Sequence, residues 1–127
     1  MTAYGDGVCT LRVCRDCCCG TQAKHPGVDH EGLLTRLEVD SGDHARVLRS
    51  DCLLACDESN VVVITPSPSG RRRGGRPVWV RRVLDDAAVD AIVDWVRAGG
   101  PGISGVPGGV RERVFAATSL ARSYAGR

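Results

Sequence analysis

The apolar positions of this chain fall into short blocks whose spacing differs from one block to the next. Over residues 8–13, Cys9, Leu11 and Val13 share one face while Thr10 and Arg12 share the other. Alternation of that kind predicts a strand. A polar, cysteine-rich loop follows over 14–26. Asp29 is a suitable N-cap for a helix carrying Leu33, Leu34 and Leu37, which Ser41 and Gly42 end. A short strand over 45–49 comes next. Residues 60–65 (NVVVIT) form an unbroken apolar run of strand length, which predicts a central strand buried on both faces. Residues 66–76 (PSPSGRRRGGR) hold no core-forming side chains and read as a loop. Residues 77–83 (PVWVRRV) read as another strand, paired in a hairpin with the preceding one.

The clearest helix begins at Asp85 and Asp86. Val89, Ile92, Val93 and Val96 lie at i, i+3, i+4 and i+7, a core-facing stripe. The acids at its start complement the helix dipole, and Gly99 and Gly100 end it. Residues 99–109 read as a flexible linker. Val110 to Tyr124 carries a thin helical stripe and reads as a weak helix. The order is βαβββα with a tail, a small α/β domain. Residues 1–7 form an N-terminal extension, 8–98 the domain, and 99–127 the linker and weak helix.

Composition adds two constraints. Hydrophobic residues make up 43% of the 127, enough for a core without cross-links, but aromatics only 4%, so that core must be aliphatic. The net charge of +2 is too small to indicate nucleic acid by itself. No apolar run approaches the roughly 18 residues of a membrane span, and residues 1–8 hold no apolar segment of a secretory signal. A cytoplasmic location is expected. In such a reducing compartment disulfides are disfavoured, so the seven cysteines need another explanation.

Six of the seven form two clusters: Cys14 with Cys17, Cys18 and Cys19, and Cys52 with Cys56. C-x4-C plus C-x3-C supplies four soft thiolates, which suit an iron–sulfur cluster or zinc. Neighbouring side chains diverge, so one or two at most of Cys17, Cys18 and Cys19 can ligate together. Gly20 eases the tight turn just after them. Cys14-x2-Cys17 with Cys52 and Cys56 is also an acceptable zinc set, and Cys14-x2-Cys17 alone resembles a thioredoxin dithiol. The latter leaves Cys52 and Cys56 unexplained. Cys9 reads as a core thiol, His25 as structural or exposed, and Trp79 and Trp95 as packing residues.

VCRDCCCG followed by CLLACDESNVVVI, and then VWVRRVLDDAAVDAIVDWV, resembles the thioredoxin-like [2Fe–2S] ferredoxins, a group related to the small [2Fe–2S] subunit of respiratory NADH dehydrogenases. The resemblance covers residues 8–98. It implies a thioredoxin-like fold and a [2Fe–2S] cluster held by Cys14, Cys19, Cys52 and Cys56. The triplet departs from the family pattern and leaves Cys18 or Cys17 as alternatives to Cys19. The implied activity is one-electron transfer between a reductase and an acceptor protein, with no catalytic site of the chain's own, and the family relation admits a homodimer. The rival readings are a zinc-stabilised interaction module and an iron–sulfur sensor or cluster donor.

Charge is uneven along the chain. Residues 29–58 hold eight acids and three Arg, whereas 71–82 hold six Arg and no acid. Asp16, Asp51, Asp57 and Glu58 lie beside the cysteine clusters and would form an acidic rim that steers a basic redox partner. The Arg71–Arg73 run with Arg76 lacks interleaved aromatics, so it reads as a solvated, partner-steering loop rather than a nucleic-acid patch.

Overall fold

The computed structural model describes residues 6–14, 25–50, 58 and 60–119. It is a mixed α/β fold built on a five-stranded sheet. The strands are β1 (Cys9–Cys14), β2 (Ala45–Ser50), β3 (Val62–Thr65), β4 (Val78–Val80) and β5 (Val114–Phe115). The helices are α1 (His30–Ser41), α2 (Pro68–Arg72), α3 (Asp86–Arg97) and α4 (Gly108–Arg111). The sheet order is β2-β1-β3-β4-β5. Strands β1 and β2 are parallel, and the pairs β1–β3, β3–β4 and β4–β5 are antiparallel. A parallel pair needs a crossover, and α1 supplies it.

Both long helices start where the sequence places their caps. The Asp29 side chain accepts from the Gly32 N–H, and that of Asp85 from the Ala88 N–H. Each satisfies a backbone donor that the first helical turn leaves open. Leu33, Leu34 and Leu37 of α1 and Val89, Ile92, Val93 and Val96 of α3 pack on one face of the sheet. They meet Cys9, Leu11, Val13, Val62, Ile64 and Val80 there, all buried. Burying each such aliphatic side chain contributes about 1.5–3 kcal/mol, so this face supplies most of the hydrophobic stabilisation. Strand β3 lies at the centre of the sheet, and both faces of its apolar run are buried, as the unbroken pattern predicts.

Three segments differ from the sequence reading. Within the expected loop 66–76, Ser67 caps the five-residue α2, its side chain accepting from the Gly70 N–H. Strand β4 ends at Val80 instead of Val83 because Arg82 turns into the left-handed region, with φ of 52°. The Arg82 and Val83 N–H groups then donate to the carbonyls of Glu58 and Asn60. In place of a weak helix over 110–124, α4 covers 108–111 and β5 pairs with β4. Residues beyond 119 lie outside the described residues.

The turns over 99–107 pack onto the domain. The Trp95 indole N–H donates to the Ser104 carbonyl at 2.9 Å. Gly100 has φ of 73°, and a Cβ on it would lie 2.6 Å from the Cys9 sulfur. A Cβ on Gly102 would lie 2.2 Å from the Gly70 carbonyl oxygen. Both positions combine left-handed backbone with close approach, which only glycine accommodates. Among the described residues no helix is long and apolar enough to cross a membrane.

Candidate metal centre

Of the proposed ligands, only Cys14 falls within the described residues; Cys17, Cys18, Cys19, Cys52 and Cys56 lie outside them. Cys14 is the last residue of β1 and is buried. Its N–H donates to the Val61 carbonyl at 3.1 Å, which fixes the strand end against the entry to β3. Alternation turns its side chain away from the helices, into a small second cluster with Val61, Val63, Trp79 and Ala117. Among the described residues, no group of three or more His, Cys, Asp or Glu side chains is placed to hold a metal ion.

The topology decides where the two cysteine segments attach. Cys14 is in register with Ser50, the last residue of the parallel strand β2. Cys14 and Ser50, the residues that precede the two cysteine-bearing segments, are therefore neighbouring strand ends on one edge. Cys52 follows Ser50 by two residues, so its Cα lies within about 7 Å of that of Ser50. Adjacent strands are about 4.8 Å apart. Cys56 precedes Glu58 by two residues, and the Glu58 carbonyl is fixed on the same edge by the Arg82 N–H at 3.0 Å. Cys14 is thus at this edge, and Cys52 and Cys56 are each two residues in sequence from a described residue there.

Side chains around that edge set its polarity. Trp79 meets Phe115 edge-to-face, with centroids 6.0 Å apart, and forms an apolar wall beside Cys14. The Arg81 guanidinium lies 5.8 Å from the Phe115 ring centre and pairs with Glu58 at 3.0 Å. The one described member of the expected acidic rim is therefore balanced by a cation. Asp16, Asp51 and Asp57 lie outside the described residues.

Sequence reasoning missed a buried polar pair on this edge. His30, at the start of α1, and Asn60, before β3, are both buried, with His30 Nδ1 2.8 Å from Asn60 Nδ2. His30 heads the stripe His30, Leu33, Leu34, Leu37, so helical periodicity is the signal that places it on the core face. The pair ties the start of α1 to the strand entry beside Cys14. His25 lies near it, its ring centroid 6.3 Å from that of His30.

Cys9 behaves differently from Cys14. It is fully buried on the helix face, with its thiol 3.6 Å from the Gly99 carbonyl oxygen. Burial pushes its pKa up from the ordinary 9.0, against a smaller opposing hydrogen bond from Ser67. It is a core thiol, as the alternation of β1 predicts. Comparison with protein-family models, with curated proteins and with solved structures finds no match.

Proposed function

We propose that this chain is a [2Fe–2S] one-electron carrier of the thioredoxin-like ferredoxin type, passing electrons between a reductase and an acceptor protein. One observation carries the reading: Cys14 and Ser50, after which the two cysteine-bearing segments follow in sequence, are in-register ends of the adjacent strands β1 and β2. Neighbouring attachment points suit a cluster whose irons each take two thiolates. Cys14, Cys52, Cys56 and one of Cys19, Cys18 and Cys17 are the ligands. A [2Fe–2S] group at this edge would supply one-electron chemistry with little rearrangement of the protein.

Further support comes from strand order. The arrangement β2-β1-β3-β4, with its first pair parallel and its last pair antiparallel, is compatible with a thioredoxin-like sheet. The wall of Trp79 and Phe115 would shield one side of the site. The aliphatic core is extensive without any metal, which favours an electron carrier over a zinc-dependent fold.

The test is an absorption spectrum of anaerobically purified protein, with iron, sulfide and zinc assayed on the same sample. A red-brown protein with about two iron and two sulfide per chain supports the carrier. A colourless protein with zinc and no sulfide supports the interaction module. Ready transfer of the cluster to an apo-protein acceptor, with poor reduction of cytochrome c, supports the sensor or cluster donor.

A further inference from the structure

His30 and Asn60 are 4% and 0% exposed, and each uses only one of its two side-chain polar atoms. His30 Nδ1 lies 2.8 Å from Asn60 Nδ2. His30 Nε2 and Asn60 Oδ1 are buried and have no hydrogen-bond partner among the described residues. An amide nitrogen can only donate, so Nδ1 accepts from Asn60 and the proton of the neutral imidazole is on Nε2. A buried N–H without an acceptor is costly, and native proteins rarely leave one. The pair therefore points to an acceptor that the described residues do not supply.

Backbone contacts fix where that acceptor is needed. The Val61 carbonyl takes the Cys14 N–H at 3.1 Å, so Val61 stands across from Cys14. Asn60 is the next residue, which places its Cα within about 9 Å of that of Cys14. Its own carbonyl is held by the Val83 N–H at 2.9 Å. In sequence, Asn60 follows Cys56 by four residues. His30 is the first residue of α1, whose start is capped by Asp29. The orphaned Nε2–H thus belongs to the Cys14 edge, where the proposed ligand set would bring sulfurs. Sulfur at a metal site accepts hydrogen bonds, and these tune the potential of an iron–sulfur group.

We propose that the His30 Nε2–H donates a hydrogen bond to a sulfur of the [2Fe–2S] group at the Cys14 edge, with Asn60 holding the ring in the required tautomer. This rests on the electron-carrier reading and adds to it a residue that sets the potential. One-electron reduction adds a negative charge to the group, and an N–H donor to sulfur offsets it, so His30 raises the potential.

The test is pulsed electron paramagnetic resonance of the dithionite-reduced, full-length protein grown with ¹⁵N-histidine, with iron and sulfide assayed on the same sample. The chain has three histidines, His25, His30 and His44. A weak histidine nitrogen coupling should appear, persist in His44→Leu and vanish in His30→Leu. In a redox titration His30→Leu should shift the potential downward, and His30→Gln, which keeps an N–H donor, should restore part of the shift. If His30→Leu does not load iron, the His25→Gln, His44→Gln double variant must still show the coupling. Iron-loaded protein without histidine coupling, a coupling as strong as that of a directly bound imidazole, or an unchanged potential in loaded His30→Leu would overturn the proposal and leave the carrier reading standing. Native protein without iron and sulfide would overturn both.

Discussion

The two cysteines of β1 stand five residues apart on one strand and are both buried, yet they belong to different parts of the molecule. Cys9 faces the helices, is enclosed by the main core, and has its ionisation suppressed. Cys14 faces the other way, at a strand end where two cysteine-bearing segments leave the sheet. The contrast shows that two equally buried thiols on one strand have different surroundings according to face and position along the strand. The helix-covered face holds most of the core; the other carries Cys14 at one end.

Replacing each cysteine breaks the comparison most sharply. Cys14→Ser should abolish stable [2Fe–2S] loading, read as lost visible absorption and iron. Cys9→Ser should retain both. Equal iron in the two variants would contradict the distinction.

The next largest effect compares the two apolar clusters. Ile92→Ala, at a fully buried helix-face position, should destabilise by about 2–5 kcal/mol in urea unfolding. Phe115→Ala should cost less, because Phe115 is only half-buried at the sheet's edge strand. A larger loss for Phe115 would mean that the second cluster, not the first, dominates stability.

Much of the first face is legible in the sequence. The alternation of 8–13, the unbroken run before Thr65 and the i, i+3, i+4, i+7 stripe of α3 each report the period of their own element. The second face is less legible, because its features are made between elements. Thr10, Arg46 and Thr65 meet only through strand register. The two-residue β5 is too short to show a period, and its place is set by pairing with β4. Helix α2 lies in a stretch of Pro, Ser, Gly and Arg whose composition signals a turn, while its cap at Ser67 is a local hydrogen bond. For the cysteine site, the sequence supplies the thiols and their spacing; the parallel pairing of β1 with β2 sets Cys14 and Ser50, which precede the two segments, side by side.

Two smaller effects sharpen the account of Cys9. Gly100→Ala should destabilise by about 1–3 kcal/mol, since a non-glycine residue with positive φ is strained there and its Cβ would crowd the Cys9 sulfur. Cys9→Ala should relieve the crowding part of that loss in the double variant, leaving the backbone part. If the two losses simply add, the contact is not the cause.

The pH dependence of Cys9 is smaller still. Its folded pKa lies above the ordinary 9.0, so the folded state holds the proton more tightly than the unfolded chain. Its contribution to stability is complete below pH 9 and is lost as pH rises through the folded value. The stability gap between the native protein and Cys9→Ala should therefore narrow from pH 7 to pH 10. A gap that is constant or widens with pH would contradict the buried neutral thiol.

The most direct measurement of the central claim is electron paramagnetic resonance of the dithionite-reduced, anaerobically purified protein, integrated against its iron content. The electron-carrier proposal predicts about one unpaired spin per two irons, retained in Cys9→Ser and lost in Cys14→Ser and Cys52→Ser. Zinc-bound protein with no signal on reduction, or a full signal that survives Cys14→Ser and Cys52→Ser, would contradict it.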